Sequence, residues 1–250
     1  EQYLRDFEEF YLVYQPMVSD NEGGRDHLET LIRWRSEELG MVSPAKIIDC
    51  VSEFGIFRQL NEWIIKNVCE DIARIGKEKG KAPVVHVNCP SRQLQDFALN
   101  DIIIKYVSEN RIPTECVCLE LEVYDIASSL EDITLLEDMG IGICIDKFEN
   151  TDEEQEIIKV LEPKYIKMSL DSLNSDIYAT TSEDFLKAEE EMKRSFTHII
   201  SECRQHGIKA CICGVETAAQ DELVTSLGFD YKQGYFYGKP ERLERKETKD

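Results

Sequence analysis

The stretch YLVYQPMVSDNEGGRDHLETLIRW, Tyr11–Trp34, holds two apolar, β-branched runs joined by a polar link. Each run reads as a strand. The link DNEGGRDH is rich in turn-forming residues and has no helical period, so the two strands are predicted to pair antiparallel. The rest of the chain follows a different rule. Strand-like runs recur in APVVHVN, CVCLELEV, IGICID, KYIKM, IKACICGV and the short FDYKQGYF. Between most of them lie helical stretches such as EWIIKNVCEDIARIGKE, EEQEIIKVLE and QDELVTSLG. Eight strand candidates with crossover helices predict a TIM-like (β/α)8 barrel with an antiparallel first strand, not an open sheet. Gly140, Gly207 and Gly228 each close a helical stretch just before a strand, as C-terminal caps do. No linker, low-complexity segment or internal repeat divides the sequence, so residues 1–250 are expected to form a single domain.

Composition narrows the functional classes. With 42% hydrophobic residues the chain can bury a sizeable core. No apolar run approaches the roughly 20 residues that span a bilayer, and the opening EQYLRDFEEF is acidic, unlike a signal sequence. A cytoplasmic location without membrane contact is therefore expected. Fifty acidic against 29 basic residues give a formal net charge of −21, a field that repels nucleic acid polymers. A small anion remains compatible if the site supplies local cations or a metal. Nine cysteines, at 50, 69, 89, 116, 118, 144, 203, 211 and 213, show no zinc-type paired spacing and read as reduced core thiols. Cys116 with Cys118, and Cys211 with Cys213, share strand faces, which suits packing better than a soft-metal site.

Barrel chemistry collects at the C-terminal ends of the strands. The polar residues there are Glu29 in the second strand, Asn88 ending VVHVN, Glu122 ending CLELE, Asp146 ending GICID, Lys167 in KYIKM and Gln233 after FDYK.

Taken in order with YQP at Tyr14–Pro16, LETLIRW at Leu28–Trp34, LELEVYD at Leu119–Asp125, GVET and QGY, these landmarks resemble the EAL family of cyclic di-GMP phosphodiesterase domains. Thr30 stands where the family signature has alanine. The resemblance covers nearly the whole chain. It implies a β/α barrel with an antiparallel first strand and, in active members, hydrolysis of one phosphodiester bond by a pair of magnesium or manganese ions. Hard ions of that kind take oxygen ligands and lower the pKa of a bridging water. By resemblance, Glu29, Asn88, Glu122 and Asp146 match the ligands of one metal, and Lys167 matches the lysine beside the attacking water. Gln15, Arg33, Glu216 and Gln233 match the nucleotide pocket. Each has a structural alternative: Asn88 as a helix cap near Pro90, Glu122 as a paired barrel carboxylate, Arg33 as an ion-pair partner of Glu29.

The pattern breaks on one side. The family's Asp-Asp-Phe-Gly reads DKFE, so Lys147 replaces a ligand of the second metal, and an ammonium has no lone pair to offer a cation. Cys213 stands where the family has an acid, and a thiol suits magnesium poorly. The following loop, ENTDEEQEI, lacks the family's glycines, and Asp125 replaces the glutamate that steadies it. Rescue would need Lys147 to turn outward and Glu149, Asp152 or Glu153 to rebuild an octahedral site. The expectation is a degenerate EAL domain that acts as a cyclic di-GMP receptor or regulatory module with little or no hydrolysis, holding at most one Mg or Mn ion. The alternatives are an active phosphodiesterase with a remodelled second metal site, and a protein-interaction module that no longer binds nucleotide. Family habit adds three open expectations: a homodimer, a protein partner, and origin in a longer multidomain signalling protein.

Overall fold

The computed structural model describes residues 7–20, 24–89, 98–126, 129–170 and 182–244, with the side chains of Ala98, Asp125 and residues 182–189 outside the description. The turn residues 21–23, the helix start near Pro90 and the side chain of Asp125 fall outside it.

Nine strands are described: β1 (Phe10–Val18), β2 (His27–Ser36), β3 (Gly40–Val42), β4 (Val84–Asn88), β5 (Val117–Leu121), β6 (Gly142–Ile145), β7 (Tyr165–Ser169), β8 (Lys209–Cys213) and β9 (Tyr231–Gln233). They run in the order β1-β9-β8-β7-β6-β5-β4-β2-β3, and a further pairing of β1 with β2 closes eight of them into a ring. β1 is antiparallel to both its neighbours, with Gln15 opposite Glu29 and Met17 opposite Gln233. The pairings from β2 through β9 are parallel. The barrel with an antiparallel first strand is thus the observed fold. β3, too short to register as a strand run in the sequence, hangs outside the ring as a hairpin on β2.

The helices are α1 (Pro44–Phe54), α2 (Phe57–Lys79), α3 (Ala98–Asn110), the single turn α4 (Val123–Ile126), α5 (Leu130–Asp138), α6 (Asp152–Val160), α7 (Ser182–His206) and α8 (Ala218–Leu227). Local chemistry sets several of their ends. Ser43 caps α1 ahead of Pro44, and Gly55 ends it in the left-handed region. Thr151 with Glu154, and Thr217 with Gln220, form capping boxes at α6 and α8.

Strand alternation sorts the residues into two layers. Val85, Val87, Leu119, Leu121, Ile143, Ile145, Ile166 and Ile212 point outward and join the helices in one continuous apolar core. The inward positions alternate with these and are largely polar or small; Val84, Cys118 and Cys144, backed by Tyr165, form a separate apolar cluster there. The ring is tight at this level: a Cβ on Gly142 would meet Cys118 Sγ at 3.2 Å. No disulfide joins any of the nine cysteines, and burial raises the thiols of Cys118, Cys144 and Cys211 well above their ordinary value.

Candidate functional site

The inward residues at the C-terminal ends of β2, β4, β5, β6, β7 and β9 meet at one mouth of the barrel. Lys167 stands at its centre. Its ammonium lies 2.8 Å from Glu29 Oε2 and 3.0 Å from each oxygen of Glu120, so all three of its N–H groups are directed at carboxylates. Asn88 Nδ2 donates to Glu29 Oε1 at 2.9 Å, and Gln233 Nε2 donates to Glu29 Oε2 at 2.7 Å and to Gln15 Oε1 at 3.1 Å. Both neighbours of Gln233 Nε2 are acceptors, which fixes the orientation of that amide. Its oxygen is buried without a partner. Gln15 is held in turn by donating to the Gly238 carbonyl at 3.0 Å. The backbone beside Gln233 admits only glycine, because a Cβ on Gly234 would sit 1.9 Å from the Val215 carbonyl oxygen.

The acids in this group titrate apart. Burial works against ionised Glu29, but Lys167, Asn88 and Gln233 outweigh it and hold its carboxyl down at about 2. Glu120 is more deeply buried, and burial pushes it up to about 7 although Lys167 acts in the opposite direction. Burial, with the charge of Glu120, pushes Asp146 up to about 6. Lys167 is raised well above its ordinary value: burial opposes its charge, but Glu120 and Glu29 prevail. Burial is the main cause of the rise in Glu120 and Asp146, with neighbouring carboxylates adding to it, so a cation beside them would favour their ionised forms.

The carboxylates of Glu29, Glu120 and Asp146 with the Asn88 amide make an all-oxygen donor set of the kind that suits a hard divalent ion. Among the described residues Glu29 Oε1 accepts only from Asn88, the Asn88 amide oxygen accepts from none, and Asp146 lines both cavities described below. The other half of the mouth presents an ammonium and a thiol in place of carboxylates. Lys147, at a left-handed φ of 54°, extends to the rim and pairs with Glu122. Cys213 is half-buried and hydrogen-bonded to Ser169. The loop after Lys147 turns without glycine by placing Asn150 at φ 64° and by folding buried Glu154 back onto the backbone N–H groups of Glu149 and Thr151.

Of the residues singled out in the sequence, Gln15, Glu29, Asn88, Asp146, Lys167 and Gln233 come together. Glu122 does not join the buried carboxylates: it is partly exposed at the rim on Lys147, and Glu120, two residues earlier, fills the inward place. In VCLELE the alternation puts Glu120 and Glu122 on one face, so the spacing held the signal for both; β5 ends at Leu121, and only the earlier acid is enclosed. Arg33 does not pair with Glu29: it donates to the Ile32 carbonyl and lines a cavity of about 420 Å³ with Leu12, Ile48 and Leu60. Glu216 is exposed and lines a second cavity, of about 390 Å³, with Gln233, Cys213 and Tyr235. The two cavities share Glu29, Leu31, Asp146 and Lys147 as a common wall. His86 and His27, buried beneath Glu120, carried no signal as site residues. Burial pushes both imidazoles down to about 3.

Fold and site together define a closed α/β barrel with an acidic, lysine-bridged mouth at its strand C-termini. The chain belongs to the EAL domain family, whose model matches residues 2–240. MucR of Pseudomonas aeruginosa, a bifunctional diguanylate cyclase/cyclic di-GMP phosphodiesterase, is 26% identical over 234 residues, covering 92% of this chain and 33% of MucR. The signaling protein YkoW of Bacillus subtilis is 27% identical over 237 residues, covering 92% of this chain and 28% of YkoW. The chain spans about a third of the length of the curated relatives it matches. Among solved structures, the PaMucR phosphodiesterase in its c-di-GMP complex gives a TM-score of 0.81 at 24% identity, covering 96% of this chain and 95% of that one. The FimX EAL domain gives 0.81 at 21%, covering 98% and 96%. No helix among the described residues is long and apolar enough to cross a membrane.

Proposed function

We propose that this EAL domain is a cyclic di-GMP receptor that holds at most one divalent ion and turns the nucleotide over slowly or not at all. The observation that carries this reading is the asymmetry of the mouth: one half gathers Glu29, Asn88, Glu120 and Asp146 around Lys167, while the other presents Lys147 and Cys213. Two adjoining cavities of similar size, meeting at Glu29, Leu31, Asp146 and Lys147, suit a ligand with two like lobes and a charged middle. Arg33 lines one lobe, where its planar fork suits a phosphate. Gln233 lines the other, beside exposed Glu216. Lys147 is within the shared wall, and its ammonium, released from Glu122, offers charge to the ligand's phosphate.

A bound divalent ion would neutralise phosphate charge and acidify a water, and Glu29, Asn88, Glu120 and Asp146 are the residues that would hold it. Lys167 cannot take a proton from that water while its ammonium is held by two carboxylates; it fixes their positions. Cytoplasmic location, a homodimer and a protein partner stay attached to this reading as proposals.

The test is a titration of cyclic di-GMP with and without Mg²⁺ or Mn²⁺, followed by assay of the same mixture for the linear dinucleotide. Binding with weak metal dependence and no linear product is expected. Metal-dependent conversion to the linear form would establish the active, remodelled phosphodiesterase instead, and no binding would leave the interaction module.

A further inference from the structure

A single file of hydrogen bonds runs up the barrel interior beneath the mouth. At its foot Tyr231 Oη lies 3.0 Å from His27 Nε2. His27 Nδ1 lies 3.3 Å from His86 Nε2, and His86 Nδ1 lies 3.1 Å from Glu120 Oε1. Glu120 then meets Lys167, which meets Glu29. His27 is 5% exposed and His86 0%, so the bonds from His27 up to Glu120 are shielded from solvent. Tyr165 packs edge-on to both imidazoles, with ring centroids 5.6 and 5.0 Å away. His27 and Tyr231 line a separate cavity of about 640 Å³ at the opposite end of the barrel.

The direction of every donor in this file follows from its upper end. Lys167 donates to both oxygens of Glu120, and these bonds leave Glu120 the acceptor toward His86. His86 Nδ1 must then carry the hydrogen. His86 is wholly buried and Glu120 already holds the Lys167 ammonium, so a second cation has no place there; the ring is neutral, Nε2 is an acceptor, and His27 Nδ1 must donate to it. His27 Nε2 is the acceptor in turn, and the Tyr231 hydroxyl donates to it. We infer that His27 and His86 are positioning residues, both locked with hydrogen on Nδ1, that pin the Glu120 carboxylate in place for a cation at the mouth. This is the less common tautomer of free histidine, and a hydrogen-bond partner at each nitrogen is what selects it. The outcome is mechanical. His86 and Lys167 together take up Glu120 Oε1, Lys167 also touches Oε2, and the side chain cannot turn away from the mouth.

The same cluster has a rival use. His86, Glu120 and Cys144 bring donor atoms within 4.8 Å of one another, close enough to surround a soft metal. Lys167 argues against that occupant, since its ammonium already stands 3.0 Å from Glu120, and burial keeps the Cys144 thiol protonated.

The tautomer assignment stands independently of any bound ligand, whereas its effect on a cation rests on the ion site proposed above. Long-range ¹H–¹⁵N correlation spectra of the histidine-labelled chain read the tautomers directly. Protonated Nδ1 and bare Nε2 are expected on both His27 and His86. Hydrogen on Nε2 of either ring would overturn the assignment, and so would displacement of the His86 resonances by added Zn²⁺. Tyr231→Phe should shift the His27 Nε2 resonance toward that of an unbonded nitrogen; an unmoved resonance would break the foot of the file. For the positioning role, Mn²⁺ affinity is compared by electron paramagnetic resonance. His86→Leu is expected to weaken it about 10- to 100-fold, as loss of a partner to a metal ligand does elsewhere. His86→Asn, which restores a donor near the Nδ1 place, should recover most of it. Equal loss in both variants would reduce His86 to packing, while a wild-type chain that takes up no Mn²⁺ would remove the ion site and leave the tautomers to be judged on the spectra alone.

Discussion

The inner and outer faces of the same strands obey opposite rules. On β4, Val85 and Val87 face the helices and His86 and Asn88 face the axis; on β5, Leu119 and Leu121 alternate with Cys118 and Glu120. Outside, any apolar side chain of the right volume fills the space between sheet and helix. Inside, the polar groups depend on specific partners, because water cannot replace a lost bond. The contrast also separates acids. Glu120 and Glu137 are both pushed up to about 7, but Glu120 sits wholly buried beside Lys167 and Glu29, whereas Glu137 is partly buried on α5 and further raised by Glu162 and Asp138. One is bonded to a cation, whereas for the other the like charges of Glu162 and Asp138 outweigh that of Lys164.

The inner face should be the more brittle. Lys167→Met removes the counter-charge of two buried carboxylates and is expected to cost about 3–5 kcal/mol in urea unfolding, with cyclic di-GMP binding lost. A loss below that of an outer-face truncation would erase the distinction. Ile143→Ala, on the outer face, is expected to cost about 2–5 kcal/mol by opening a cavity, while the folded fraction keeps its nucleotide affinity. Further out, Thr151→Ala removes the α6 cap and is expected to cost about 1 kcal/mol, with a thermal melt as the measurement.

The smallest effect concerns pH. Glu137 binds its proton more tightly in the folded chain than in the unfolded one, so stability falls as pH rises from the ordinary 4.5 toward about 7. Glu137→Gln removes that loss. Its gain in melting temperature over the wild type is expected to grow between those values and to level off above them, and a constant difference at all pH values would refute the assignment.

Much of this molecule was legible in its residues. The turn-rich DNEGGRDH link and the later strand–helix alternation were enough for a barrel with one reversed strand, because hydrophobic periodicity and turn chemistry are local properties. Glu29, Asn88, Asp146, Lys167 and Gln233 were likewise visible as polar residues in or at the ends of apolar runs, and Gln15 through the resemblance to the family. Glu120 and Glu122 were not separable, since a period of two assigns both to one face and says nothing of where the strand stops. His27 and His86 read as ordinary strand residues, because nothing in either run names a partner 59 positions away.

The amino-acid order alone thus settled the barrel, the reversed strand and the presence of Lys147 and Cys213 at the ends of two strands. Only the closed ring decided which acid lies inside, that Lys147 reaches the rim to pair with Glu122, and that two distant histidines stack beneath Glu120. The physical reason is that identity and spacing are properties of the chain, while burial and partnership exist only after strands far apart in sequence have been brought side by side.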